Sequence, residues 1–152
     1  MTSIMRSLFV ALAVGVVAVS AVGAARAETA KHRVVLQITQ DDPEVMNMVL
    51  NNAKNVLQYY GDKNESAQVE IVAYGPGLHM LRDDNSPVKD RIKDMVAANG
   101  SKLAFAACNN TKQAMEKREG HSIAIIAQAT LVPAGVVRVM ELEEQGYDYV
   151  RP

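Results

Sequence analysis

The feature that most constrains this chain is a rhythm: short β-branched runs, each followed by a helix-opening signal and a stretch with helical spacing. "HRVVLQIT", His32 to Thr39, is apolar and short enough to be a buried strand. Asp41-Asp42-Pro43-Glu44 follows as a helix start, with Asp42 as N-cap, Pro43 at the first helical position and an acid in the first turn. Met46, Val49, Leu50, Ala53, Val56, Leu57 and Tyr60 then recur on one helical face, and Gly61 is expected to close the helix.

The same logic repeats three times. "AQVEIVAYG", Ala67 to Gly75, reads as a strand ending in a Gly75-Pro76-Gly77 turn, and a helix marked by Val88, Ile92, Met95 and Val96 runs to Gly100. Leu103 to Ala107 is expected as the third strand and Asn109 to about Lys117 as the third helix. "SIAII", Ser122 to Ile126, fits either a strand or a buried helical turn, so the fourth strand is placed at Gln128 to Val132. Pro133 is then expected to start a helix through Val136, Val139 and Met140 to Gly146, with "YDYVRP" as a final strand. Strands alternating with helices predict an α/β fold: three α/β/α layers around a mainly parallel sheet of about five strands.

The N-terminal segment sets the compartment. Leu8 to Ala25 is apolar and uncharged after a short start bearing Arg6, and Ala25-Arg26-Ala27 has small residues where a signal peptidase reads. The expectation is a secretory signal over residues 1–27, a single domain over 28–152, and export to a bacterial periplasm; retention as a membrane anchor is the alternative. Loss of Arg6 and Arg26 moves the net charge from −1 to about −3. No basic stripe appears, so nucleic acid is not an expected partner. With one cysteine, no disulfide forms within the chain.

In a parallel sheet the loops leaving the carboxyl ends of the strands share one edge, where ligands usually bind. Those loops are Gln40-Asp41-Asp42, Gly75-Pro76-Gly77, Cys108-Asn109-Asn110 and Val132-Pro133-Ala134. Cys108, the sole cysteine, falls at a strand-to-helix junction, where unpaired N–H groups and the helix dipole favour a thiolate. Asn109 or Thr111 can donate to it, Asn110 adjoins them as a candidate binding residue, and Lys112 brings a charge within one turn. The apolar run before it acts the other way, since desolvation favours an inert thiol.

"AYGPGLHML", "LAFAACNNT", "LVPAGVVRVMELEEQGYDYVRP" and the Asn-rich first helix, in this order, resemble the exported branch of the DsrE/DsrF-like proteins, over about residues 31–152. The resemblance implies a five-stranded parallel sheet, assembly as a trimer or hexamer, and a cysteine that accepts sulfur as a persulfide and passes it to a partner protein. Cys108 matches that cysteine by position. Gly75, Pro76, Gly77, His79 and Gln40 are expected around it, the glycines allowing close backbone approach and His79 offering a proton.

The competing expectation is a non-catalytic, oligomeric binding module with Cys108 merely packed. Cu(I) bound by His79, His121, Cys108 and methionines is a weaker reading, because no close His or Met cluster exists; no metal and no cofactor are expected. Met46, Met95 and Met140 are expected in the core. No Gly-x-Ser-x-Gly elbow, His-Glu-x-x-His helix or phosphate loop is present.

Overall fold

The computed structural model describes residues 30–152, and the expected signal segment lies outside them. Five strands alternate with four α-helices: β1 (His32–Ile38), α1 (Pro43–Asp62), β2 (Ala67–Ala73), α2 (Lys89–Asn99), β3 (Leu103–Cys108), α3 (Asn109–Glu119), β4 (Ala129–Val132), α4 (Gly135–Glu144) and β5 (Asp148–Val150). The sheet is wholly parallel, in the order β4-β3-β2-β1-β5.

That order explains how the helices are shared between the two faces. From β1 to β4 the chain steps across the sheet in one direction, so right-handed crossovers put α1, α2 and α3 on one face. The connection from β4 to β5 travels back across the sheet, and the same handedness puts α4 on the other. Alternate strand residues divide accordingly. Val34, Leu36, Ile38, Val69, Ile71, Phe105 and Ala107 join Met46, Val49, Leu50, Ile92 and Met115 in the large core. Val35, Val72 and Ala106 meet Val139 and Leu142 of α4 in a smaller one.

Local signals fix most of the element starts. Asp42 caps α1 by accepting from the N–H groups of Glu44 and Val45, with Pro43 in the first turn. Asp42 therefore serves the helix end that the sequence assigned to it. The helix closes later than expected: Gly61 lies inside its last turn, and the chain reverses at Asn64, whose φ is +55°. Hydrogen bonds from Lys63 N–H to Tyr60 O and from Asn64 N–H to Gly61 O finish that turn. Asparagine tolerates the left-handed region well enough to take the role expected of the glycine.

Four further expectations are corrected. Gly75-Pro76-Gly77 is the start of a 3-10 helix, Gly75–Leu81, rather than an isolated turn. Pro133 does not open α4; its carbonyl accepts from Asn110 N–H at 3.3 Å, which holds Pro133 in the loop and delays the helix to Gly135. Met140 is 56% exposed and Val136 54% exposed, because the face of α4 carrying Val139 and Leu142 is the one that meets the sheet. Ser122–Ile126 is neither helical turn nor strand of the main sheet: Ile126 N–H bonds Leu81 O and Asp83 N–H bonds Ala124 O, burying Ile123 and Ile126.

Candidate functional site

The strand order gives the carboxyl edge a specific crevice. β3 and β4 are neighbours, yet the loop after β3 enters α3 on one face while the loop after β4 enters α4 on the other. Such a switch point is where open α/β sheets leave a gap for ligands. Cys108, the last residue of β3, pairs with Val132, the last of β4.

Cys108 follows Ala106 by two positions, so its side chain projects to the α4 face. There it acts as the N-cap of α3, its Sγ accepting from Thr111 N–H at 3.4 Å. Burial pushes the thiol pKa up. Hydrogen bonding from the Thr111 side chain and from the backbone N–H groups of Thr111, Gly135 and Asn110 acts the other way and prevails, so the thiol lies below its ordinary value. Of these N–H groups, that of Thr111 hydrogen-bonds Sγ, while Gly135 and Asn110 act from nearby, Asn110 N–H being bonded to Pro133 O. The residue is only 5% exposed.

Two close contacts bring those donors in. Gly135 lies against Tyr74, which leaves no room for a side chain and lets the first turn of α4 reach the sulfur. Thr111 Oγ1 accepts from Gly75 N–H at 3.0 Å, tying the 3-10 helix to α3. Beyond Tyr74, Gln37 donates to the Tyr74 hydroxyl and accepts from the Tyr149 hydroxyl, a polar chain across β2, β1 and β5. Burial, followed by the nearby Tyr149, raises the Tyr74 pKa.

A cavity of about 490 Å³ opens on the other side of α3, bordered by Gly75, Pro76 and His79 from the 3-10 helix and by Asn110 and Thr111 from α3. Five expected site residues therefore share one hollow. Cys108 does not line it, and Asn110 and Thr111 stand between sulfur and cavity. Asn109 opens α3 without lining the cavity. Gly77 is beneath it: a Cβ there would lie 2.5 Å from Ile38 O, so this glycine serves close packing of the 3-10 helix on β1. Gln40 accepts from the Thr39 hydroxyl at 3.3 Å and stays outside the cavity lining.

Sequence reasoning missed Tyr74, Gly135, Asp41 and Arg118. Asp41 adjoins Gln40 in an edge loop, and Arg118 lies seven residues after Thr111 on the same helical face, so spacing alone would have found Arg118 once Thr111 was chosen. Tyr74 and Gly135 meet across the sheet edge from distant segments and carry no local signal. No group of three or more metal-ligating side chains occurs among the described residues.

Fold and site together define an open, all-parallel five-stranded α/β protein with a helix-capping thiol at its switch point. Among solved structures it is similar to the protein of unknown function MTH1491 from Methanobacterium thermoautotrophicum, with a TM-score of 0.66 and 26% identity over 80% of this chain and 99% of that one. No family model and no curated protein matches the chain.

Proposed function

We propose that this protein is an exported, oligomeric sulfur carrier that holds a persulfide on Cys108, as its resemblance to the DsrE/DsrF-like proteins implies. The observation that carries the reading is the place of the Cys108 sulfur at the start of α3, where it caps the helix and accepts from Thr111 N–H at 3.4 Å. Such donors stabilise a thiolate, the nucleophilic form of cysteine, and also the anionic persulfide. In the loading step the Cys108 thiolate forms an S–S bond to the outer sulfur of a donor persulfide. The donor's own S–S bond breaks and the donor leaves as a thiolate. Unloading reverses the roles: an acceptor thiolate takes the outer sulfur and Cys108 departs as thiolate, with no external oxidant or reductant.

Incubation with inorganic polysulfide followed by intact mass measurement tests the reading. A gain of one sulfur mass on the wild type, absent from Cys108→Ser, is expected. No adduct on the wild type, or an equal adduct on the serine variant, overturns it.

A second reading, a binding module with a structural cysteine, is favoured by two observations: Cys108 is 5% exposed, and the cavity beside it is lined without the sulfur. Thiol titration separates the two. A structural thiol reacts slowly at every pH, whereas a carrier reacts readily near neutrality.

A further inference from the structure

The hollow between the 3-10 helix Gly75–Leu81 and α3 has features that the thiol does not use. The two elements are tied at both ends, by Gly75 N–H to Thr111 Oγ1 at 3.0 Å and by Arg82 Nη1 to Glu119 Oε1 at 2.8 Å. Arg82 is 2% exposed and also grips Asp84 through two hydrogen bonds, so the second tie is anchored in the core. Thr111 and Glu119 are separated by roughly 12 Å of helix at 1.5 Å per residue. Between the ties the elements part, and a cavity of about 490 Å³ remains. Small-molecule sites run from roughly 300 to 1,000 Å³.

The lining is mixed. Pro76, Ala114 and Met115 supply apolar surface, while Asp41, His79 and Arg118 bring charge or hydrogen bonding from three separate elements. Asp41 Oδ2 lies 3.8 Å from His79 Nδ1, beyond hydrogen-bond length. Arg118 Nη2 stands 3.6 Å from Glu119 Oε1, an oxygen already engaged by Arg82 at 2.8 Å. Among the described residues Asp41 and Arg118 form no ion pair with each other. A ligand of one charge would satisfy one of them and meet the other as an opponent. A ligand carrying both charges complements both.

We propose that this cavity binds a zwitterion of amino-acid or dipeptide size, its carboxylate on the Arg118 guanidinium, its ammonium group on Asp41 and its apolar side chain against Met115. The planar guanidinium suits a carboxylate, which it can hold through two parallel hydrogen bonds. Thr111 and Asn110 border both this cavity and the Cys108 sulfur, yet binding here is independent of the sulfur reading.

Titration calorimetry with L-alanyl-L-methionine tests the proposal, using protein that carries Cys108→Ser so that no thiol chemistry adds heat. Saturable binding is expected, weakened at least about tenfold by N-acetylation of the probe and by amidation of its carboxylate. Arg118→Gln should erase the preference for free acid over amide, and Asp41→Asn the preference for free amine over acetyl. Both side chains are solvent-exposed, and the thermal midpoint of each variant verifies folding. No saturable heat into the millimolar range, equal affinity for the blocked probes, or unchanged discrimination in the two variants overturns the proposal. Dipeptide binding without polysulfide uptake by the wild type would sink the sulfur reading alone, and uptake without binding would sink this one alone.

Discussion

Gly135 and Tyr74 are in such close contact that a Cβ on the glycine would lie 2.7 Å from Tyr74 Cδ1 and 2.8 Å from Tyr74 Cβ. Neither atom is the free end of a flexible chain, so Gly135→Ala forces the start of α4 away from the sheet edge. We expect a loss of about 1 to 3 kcal/mol in urea unfolding, the usual cost of overpacking. Because the nearby Gly135 backbone helps hold the Cys108 pKa down, the same variant should raise the pH at which the thiol becomes reactive. Val137→Ala, on the exposed side of α4, should move neither quantity.

Thr111 offers a separate test of the thiol's surroundings. Its hydroxyl accepts from Gly75 N–H, which leaves its single proton available to the sulfur. Thr111→Val should shift the inflection of the iodoacetamide rate against pH upward, and Thr111→Ser should restore it. An unmoved inflection in a folded valine variant would remove the hydroxyl from the account.

The lowered thiol pKa also has a sign for stability. A group whose folded pKa lies below its unfolded one stabilises the fold above the unfolded value, and that contribution is lost as pH falls through the folded value. The stability of the wild type relative to Cys108→Ser, measured under reducing conditions, should therefore climb as pH rises towards the ordinary thiol range and level off above it. Parallel curves across that window would show that the native state does not favour the thiolate.

Gly77 and Gly61 make a contrasting pair. A Cβ at Gly77 would meet Ile38 O at 2.5 Å, Ile38 C at 2.7 Å and Thr39 Cα at 2.9 Å, whereas at Gly61 nothing lies within 4 Å. Gly77→Ala should destabilise by about 1 to 3 kcal/mol, since backbone cannot yield as a side chain does. Gly61→Ala, in the last turn of α1, should stabilise by roughly 0.5 to 1 kcal/mol. Urea midpoints for the two variants, moving in opposite directions, are the measurement.

Much of the fold was legible because its signals are local. Asp42-Pro43 marks the start of α1 through hydrogen bonds within three residues of the cap, and "HRVVLQI" and "LAFAAC" are strands buried on both faces. The Pro133 helix start failed because a distant donor, Asn110 N–H, engages the Pro133 carbonyl. The expected burial of Met140 failed because helical spacing identifies an apolar stripe without telling which flank of it meets the sheet. For the site, the residues flanking Cys108 were legible, since an N-cap is a nearest-neighbour property.

The sequence by itself determined the alternation of strands and helices, the position of the sole thiol at a strand end, and the polar residues just after it, all consequences of short-range periodicity and capping. Only the tertiary structure decided that β3 and β4 lie side by side while their helices depart to opposite faces, that the starts of both helices come near the same sulfur, and that the nearby cavity excludes that sulfur. Strand order and the face taken by each crossover arise from contacts between segments far apart in the chain, which local spacing does not encode.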